Sequence, residues 1–173
     1  MKIQVRKLHP DAIVPAYATA GSAGFDIVAI EDCEIEPGKT MLLRTGLAFE
    51  IPEGFELQIR PRSGRSLSTP FRVANSPGTV DSDFRGEVCI VAHNISGISQ
   101  LVYTRDFDGR LIDVEGAPGL TIAIKTGDRV AQGIICPVVR VEFEETDRLS
   151  LTERSAHGFG STGGGTHGSR LKS

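Results

Sequence analysis

At 173 residues the chain is sized for one domain able to bury a substantial core. A formal charge of -3 provides no general pull toward nucleic acid or an anionic membrane, and no apolar run approaches the roughly 20 residues a spanning helix needs. Cys33, Cys89 and Cys136 are odd in number and far apart, which reads against a disulfide framework; Cys89 and Cys136 are expected as buried small hydrophobes in a reducing compartment.

Met1-Lys-Ile-Gln-Val-Arg6 lacks the apolar centre of a secretory leader, in keeping with a cytoplasmic protein. Lys2 to Arg6 is the first strand candidate, and Ala20-Gly-Ser-Ala-Gly-Phe-Asp26 is a glycine-rich loop leading into a short apolar run. After the turn signal Glu36-Pro-Gly38, Met41 to Ile51 suits a strand. Pro52-Glu-Gly54 turns the chain into Phe55-Glu-Leu-Gln-Ile-Arg60, whose alternation suits a half-buried strand. Arg62 to Thr69 is the only stretch that could hold a short helix. Beyond Ser76-Pro-Gly78 comes Gly78-Thr-Val-Asp-Ser-Asp-Phe-Arg-Gly86, then the apolar strand Val88 to Ala92.

Residues 96–119 are polar and contain Asp108-Gly109, a hairpin-type dipeptide, so an extra hairpin excursion is expected there. Thr121 to Lys125, Ile134-Ile135 and Val139-Arg-Val-Glu-Phe-Glu144 complete the strand candidates, with a turn at Thr126-Gly-Asp128. Many short strands joined by Gly/Pro turns predict an all-β sandwich, jelly roll or barrel. The body is expected to run over 1–153, followed by a glycine-rich arm over 154–173 with too few apolar residues to fold alone.

The chemistry lies in the loops. Asp81 and Asp83 flank Ser82 beside Phe84, between glycines that let backbone approach a ligand. A carboxylate there can orient a water and an aromatic can wall a pocket, although a surface hairpin turn uses the same residues. Arg60-Pro-Arg-Ser-Gly64 could grip phosphate or be a turn with Arg62 solvated; Gly127-Asp-Arg129 could be a hairpin corner with a local ion pair; Asp26 could cap a turn. The four histidines show no metal-ligand spacing, so any metal would be a hard cation held by oxygen or phosphate.

Taken in order, these loops and Arg154-Ser-Ala-His-Gly-Phe-Gly-Ser-Thr-Gly163 resemble the five motifs of the trimeric deoxyuridine triphosphatases, over about residues 2–164. The resemblance implies a jelly-roll-like distorted β-barrel, a homotrimer with active sites shared between subunits, and Mg2+-dependent hydrolysis of dUTP to dUMP and pyrophosphate. That activity limits uracil in DNA and supplies dUMP for dTMP synthesis. It also implies roles residue by residue. Asp81 matches the carboxylate that activates the attacking water, and Gln132 a residue bonding near the α-phosphate and that water. Arg62, Ser63 and Gly64 match the phosphate-binding motif; Asn75, Val80 and Phe84 match positions around uracil and deoxyribose.

Phe84 stands where Tyr is usual, keeping a steric wall without the phenol, and Arg65 stands where an aliphatic residue is usual. Arg154, Phe159, Gly160, Ser161 and Thr162 match the arm that closes over a neighbour's site on uracil and the γ-phosphate. Asp26 matches a carboxylate reaching the metal through water. Two rivals stand beside this: dCTP deamination on the same fold, and a binding member with a dead site.

Overall fold

The computed structural model describes residues 1–97, 119–152 and 155–156, together with the backbone of 103–105 and 111–113. The chain divides into two compact units, Met1–Arg140 and Val141–Ser173.

The first unit is nearly all strand: β1 Gln4–Lys7, β2 Phe25–Val28, β3 Cys33–Ile35, β4 Thr40–Arg44, β5 Leu47–Glu50, β6 Phe55–Arg60, β7 Phe71–Val73, β8 Gly78–Val80, β9 Cys89–Asn94, β10 Tyr103–Arg105, β11 Leu111–Asp113, β12 Ile122–Ile124 and β13 Arg129–Pro137. Among the described residues a single short helix, α1 Ser63–Ser68, falls where the sequence allowed one. All strand pairings are antiparallel. A four-stranded sheet has the order β2-β13-β6-β8 and a three-stranded sheet the order β4-β9-β7; β1-β5, β12-β3 and β10-β11 form pairs. Among the described residues these sheets stay separate and do not close into one barrel.

The expected strand over Met41 to Ile51 is two strands. Gly46 lies between them at φ +65°, where a Cβ would sit 2.9 Å from the Cβ atoms of Ala12 and His9, so the break needs glycine. Alternation in β6 behaves as read: Leu57 and Ile59 enter the core while Glu56, Gln58 and Arg60 face outward and bond to one another. Phe71, Ile27, Ile35, Leu43, Leu47, Leu57, Ile90, Ile124 and Val130 are fully buried. Burying one such side chain contributes about 1.5–3 kcal/mol.

Within 96–119, β10 and β11 form the expected hairpin, Tyr103 opposite Asp113 and Arg105 opposite Leu111. Its root is tied by Asn94, fully buried, whose Nδ2 donates to Ile35 O (2.8 Å) and Leu120 O (2.7 Å) while its Oδ1 accepts from Ser96 N and Oγ.

Two expectations fail. Val139 to Glu144 is not a strand: the segment carries strand alternation but has no pairing partner, and Val139, on the first unit, is 86% exposed. In the second unit, Val141 to Thr152 has no regular secondary structure; Phe143 is 93% and Leu151 94% exposed. The cysteines are all free but half-buried rather than buried, because Cys89 and Cys136 sit on strand faces turned away from the core.

Candidate active site

The first cluster is built on the four-stranded sheet. Pairing places Asp26 on β2 opposite Gln132 on β13, and Gln132 opposite Arg60 on β6. A bulge at Val130 separates Arg129 from Ala131 in the register with β2. It explains why the consecutive residues Val130 and Ala131 are both fully buried, and it re-aims Arg129.

Asp26 consequently meets two guanidinium groups: Arg62 Nε donates to Oδ1 at 2.7 Å and Arg129 Nη1 to Oδ2 at 3.2 Å. Charge-assisted bonds of this kind are about twice as strong as neutral ones. Gln132 Nε2 donates to Pro61 O at 2.8 Å, and its Oε1 lies against Gly24, where a Cβ would approach to 2.9 Å. Thus Asp26, Arg62 and Gln132, separated by up to 106 residues, share one corner. Ser63 and Gly64 follow directly on the exposed first turn of α1. Two arginines, a hydroxyl and an amide, drawn from β13 and from the start of α1, can bind a polyanion.

The hairpin-corner expectation for Gly127-Asp-Arg129 holds for the turn but not for the ion pair. Asp128 accepts Lys125 N at 3.1 Å and faces Arg65 at 3.8 Å, whereas Arg129 reaches Asp26. Nor does Asp26 cap a turn; it lies within a strand.

The second cluster surrounds a cavity of about 200 Å³ lined by Thr79, Val80, Asp81, Phe84, Glu87, Val88 and Cys89. Asp81 is exposed at its mouth. The loop folds back through Phe84 N to Asp81 O (3.2 Å), and Arg85 Nη1 donates to Ser82 O and Phe84 O. Phe84 lies over Gly86, where a Cβ would meet the ring Cζ at 2.6 Å. Asn75 packs its amide on buried Gly78, 3.1 Å from where a Cβ would stand.

The cavity floor contains residues the sequence did not single out. Glu87 accepts Gly46 N at 2.8 Å and both Nε and Nη2 of Arg44, which raises the arginine's pKa. Burial, followed by the nearby Glu87 charge, pushes the Cys89 thiol up. No local pattern signalled Glu87, since Arg44 is 43 residues away. Arg154, Phe159, Gly160, Ser161 and Thr162 lie outside the described residues.

The two clusters stand at opposite ends of β6. Val80 pairs with Leu57, so Asp81 follows at the level of Glu56, whereas Arg62 lies six residues further along. At about 3.3 Å per residue that is roughly 20 Å.

The dUTPase family model matches residues 10–106 and 97–163. The deoxyuridine 5'-triphosphate nucleotidohydrolase of Nautilia profundicola is 44% identical over 163 residues, covering 94% of this chain and 99% of that protein. Among solved structures, the Staphylococcus bacteriophage 80alpha dUTPase with dUPNHPP superposes with TM-score 0.77 at 29% identity, covering 94% of this chain and 98% of that one. A mutant dUTPase from phage phi11 of S. aureus, described for the coordination of a structural Mg(II) ion, gives 0.70 at 26% identity, covering 87% and 100%. Two polar clusters on a strand-rich body, matched over nearly the whole length by these proteins, place the chain in the dUTPase family of nucleotide hydrolases.

Proposed function

We propose that the protein hydrolyses dUTP to dUMP and pyrophosphate by attack of water on the α-phosphorus. The observation that carries this is the convergence of Asp26, Arg62, Arg129 and Gln132 beside the exposed Ser63 turn, in a member of this family. In this scheme Asp81 accepts the proton of the attacking water, help worth roughly 10²–10⁴-fold. Arg62, Ser63 and Gly64 hold the phosphates, and Gln132, its amide fixed on Pro61 O, bonds at the α-phosphate. Val80 and Phe84 line the cavity offered to the deoxyribose and base, with Asn75 at its approach. Arg154, Phe159, Gly160, Ser161 and Thr162 close the arm of 154–173 over uracil and the γ-phosphate. The product dUMP serves dTMP synthesis, and removal of dUTP keeps uracil out of DNA.

The donor set fits Mg2+ as an ion carried mainly by the triphosphate and water. Among the described residues no group of three His, Cys, Asp or Glu could cage a metal, and both Asp26 oxygens already accept from arginines, leaving a contact through water. Bound there, the ion would offset phosphate charge.

The separation of roughly 20 Å along β6 supports a homotrimer with shared sites, since the phosphates of one nucleotide would meet Arg62 of one subunit and its sugar Asp81 of another. No helix among the described residues is long and apolar enough to cross a membrane.

Pyrophosphate and ammonia release from dUTP, dCTP, dTTP and UTP, with and without Mg2+, tests the proposal. Turnover of dUTP alone, requiring Mg2+, is expected. Ammonia from dCTP would make the protein a deaminase, and tight dUTP binding without turnover would make it a binding module.

A further inference from the structure

The helix that carries Ser63 and Gly64 has no visible means of support of the usual kind. Six residues are too few to hold a helix in water, none of α1 is buried, its Arg62 cap makes no side-chain bond to the helix, and Leu67 is 87% exposed. Its flanks are held by Arg62 on Asp26 and by Arg72 Nη1 on Thr69 O (2.9 Å); within its six residues, Arg65 supplies the stacking and ionic contact to the body. Arg65 exposes only 16% of its side chain; its guanidinium carbon lies 4.7 Å above the ring of the buried Phe71, and its Nη1 is 3.8 Å from Asp128 Oδ2. Its Nε is buried with no hydrogen-bond partner among the described residues, a cost accepted where water cannot reach.

Both anchors are rigid. Phe71 belongs to the core, and the Asp128 turn is fixed by Ala29 N to Asp128 O (2.9 Å), Gly127 N to Ala29 O (2.8 Å) and Lys125 N to Asp128 Oδ2 (3.1 Å). An aliphatic residue at 65 could rest on Phe71 but could not reach Asp128. The burial and stacking that hold Arg65 also keep it from substrate, so its effect must pass through the backbone of α1. Burial first, and the like charge of Arg62 among the remaining causes, push its pKa down.

We propose that Arg65 is the positioning residue of the phosphate-binding turn, stapling α1 to Phe71 and Asp128 so that Ser63 and Gly64 stay aligned with Arg62. This rests on the assignment of Ser63 and Gly64 to phosphate. The test is competitive inhibition of dUTP turnover by two separate products, inorganic pyrophosphate and dUMP. Arg65→Leu should weaken pyrophosphate inhibition about tenfold while dUMP inhibition stays within about twofold, a split that general loosening would not produce. Arg65→Lys, which keeps a cation over Phe71 and near Asp128, should restore most of the loss.

Pyrophosphate inhibition within about twofold of the parent in Arg65→Leu, or equal weakening of both inhibitors, would overturn the proposal. Should Arg65→Leu not fold, Asp128→Asn probes the same link from the other side and must show the same split. Ser63→Ala separates the two levels. If it leaves pyrophosphate inhibition unchanged, the phosphate assignment itself fails; if it weakens inhibition while Arg65→Leu does not, only the role of Arg65 falls.

Discussion

Gly133→Ala tests whether the packing beneath the phosphate corner sets its activity. Gly133 is buried on β13 next to Gln132 and opposite Phe25, which precedes Asp26. A Cβ there would stand 2.5 Å from Phe25 Cε2, 2.7 Å from its Cζ and 2.9 Å from Leu57 Cδ1. Ordinary carbon contacts begin near ~3.5 Å, so something must give by about 1 Å. The ring has little room to retreat, for it stacks on Phe49 (centroids 6.4 Å apart) and meets Tyr17 edge-on (5.7 Å). The strands therefore part.

Overpacking of this kind costs about 1–3 kcal/mol, and each kcal/mol lowers Tm by about 2–4 °C in a chain of this size. The same 1 Å falls between Gln132 and Asp26, where misplacement of that order can lower turnover up to about 10²-fold. Denaturant unfolding and steady-state kinetics on Gly133→Ala are the assay, with Phe25→Leu added to the same variant expected to recover part of both losses. Lost stability with unchanged kcat would refute the coupling between strand packing and the site. Unchanged stability would refute the steric estimate itself.

Asp81→Asn should lower kcat by about 10²–10⁴-fold while dUTP binding, measured by calorimetry, changes little; an unchanged kcat would remove Asp81 from its role. Deleting 154–173 should leave a folded protein with little activity, since the core lies within Met1–Arg140; parent-like turnover would show that the arm is dispensable. Asn94→Ala should cost about 2–4 kcal/mol in unfolding, because it strips partners from the Ile35 and Leu120 carbonyls and from Ser96. Asp32 bonds Lys125 Nζ and Thr126 N at 2.8 Å each, and these lower its pKa. Its contribution is therefore present above the unfolded carboxylate pKa and lost as pH falls through the lower folded value. Asp32→Asn should flatten the fall in stability that sets in as pH drops below the ordinary carboxylate pKa of 3.8, and leave the slope near neutrality unchanged.

What could be read in the sequence was what chain-local chemistry controls. β6 announced itself by alternation and the hairpin within 96–119 by Asp108-Gly109, while the short helix fell in Arg62 to Thr69, the stretch that could hold one. Asp26, Arg62 and Gln132 could be named from motifs but not joined, because what joins them is the register of β2, β13 and β6. The Arg129–Asp26 pair was misjudged for the same reason: a bulge at Val130 decides where Arg129 points, and neither residue carries a local sign of it. Val139 to Glu144 failed in the opposite way. Its alternation is real, but a strand needs a partner, and among the described residues of this chain it has none.

The loop at Asp81 shows how the Phe84 ring is held in place without a phenol. The ring lies over Gly86, where a Cβ would stand 2.6 Å from Cζ, and the loop is turned by the bond from Phe84 N to Asp81 O. Neither constraint involves a phenolic oxygen. Glu87 then fixes the exit of the loop by accepting Gly46 N and Arg44, and Thr45 Oγ1, fully buried, donates to Val88 O. The wall is thus held by backbone and by residues on the far side of the cavity. A hydroxyl on Cζ would not be what keeps the ring in place. The position of the Phe84 ring therefore rests on Gly86 and Glu87, two positions that lie outside the carboxylate–aromatic pair of the loop.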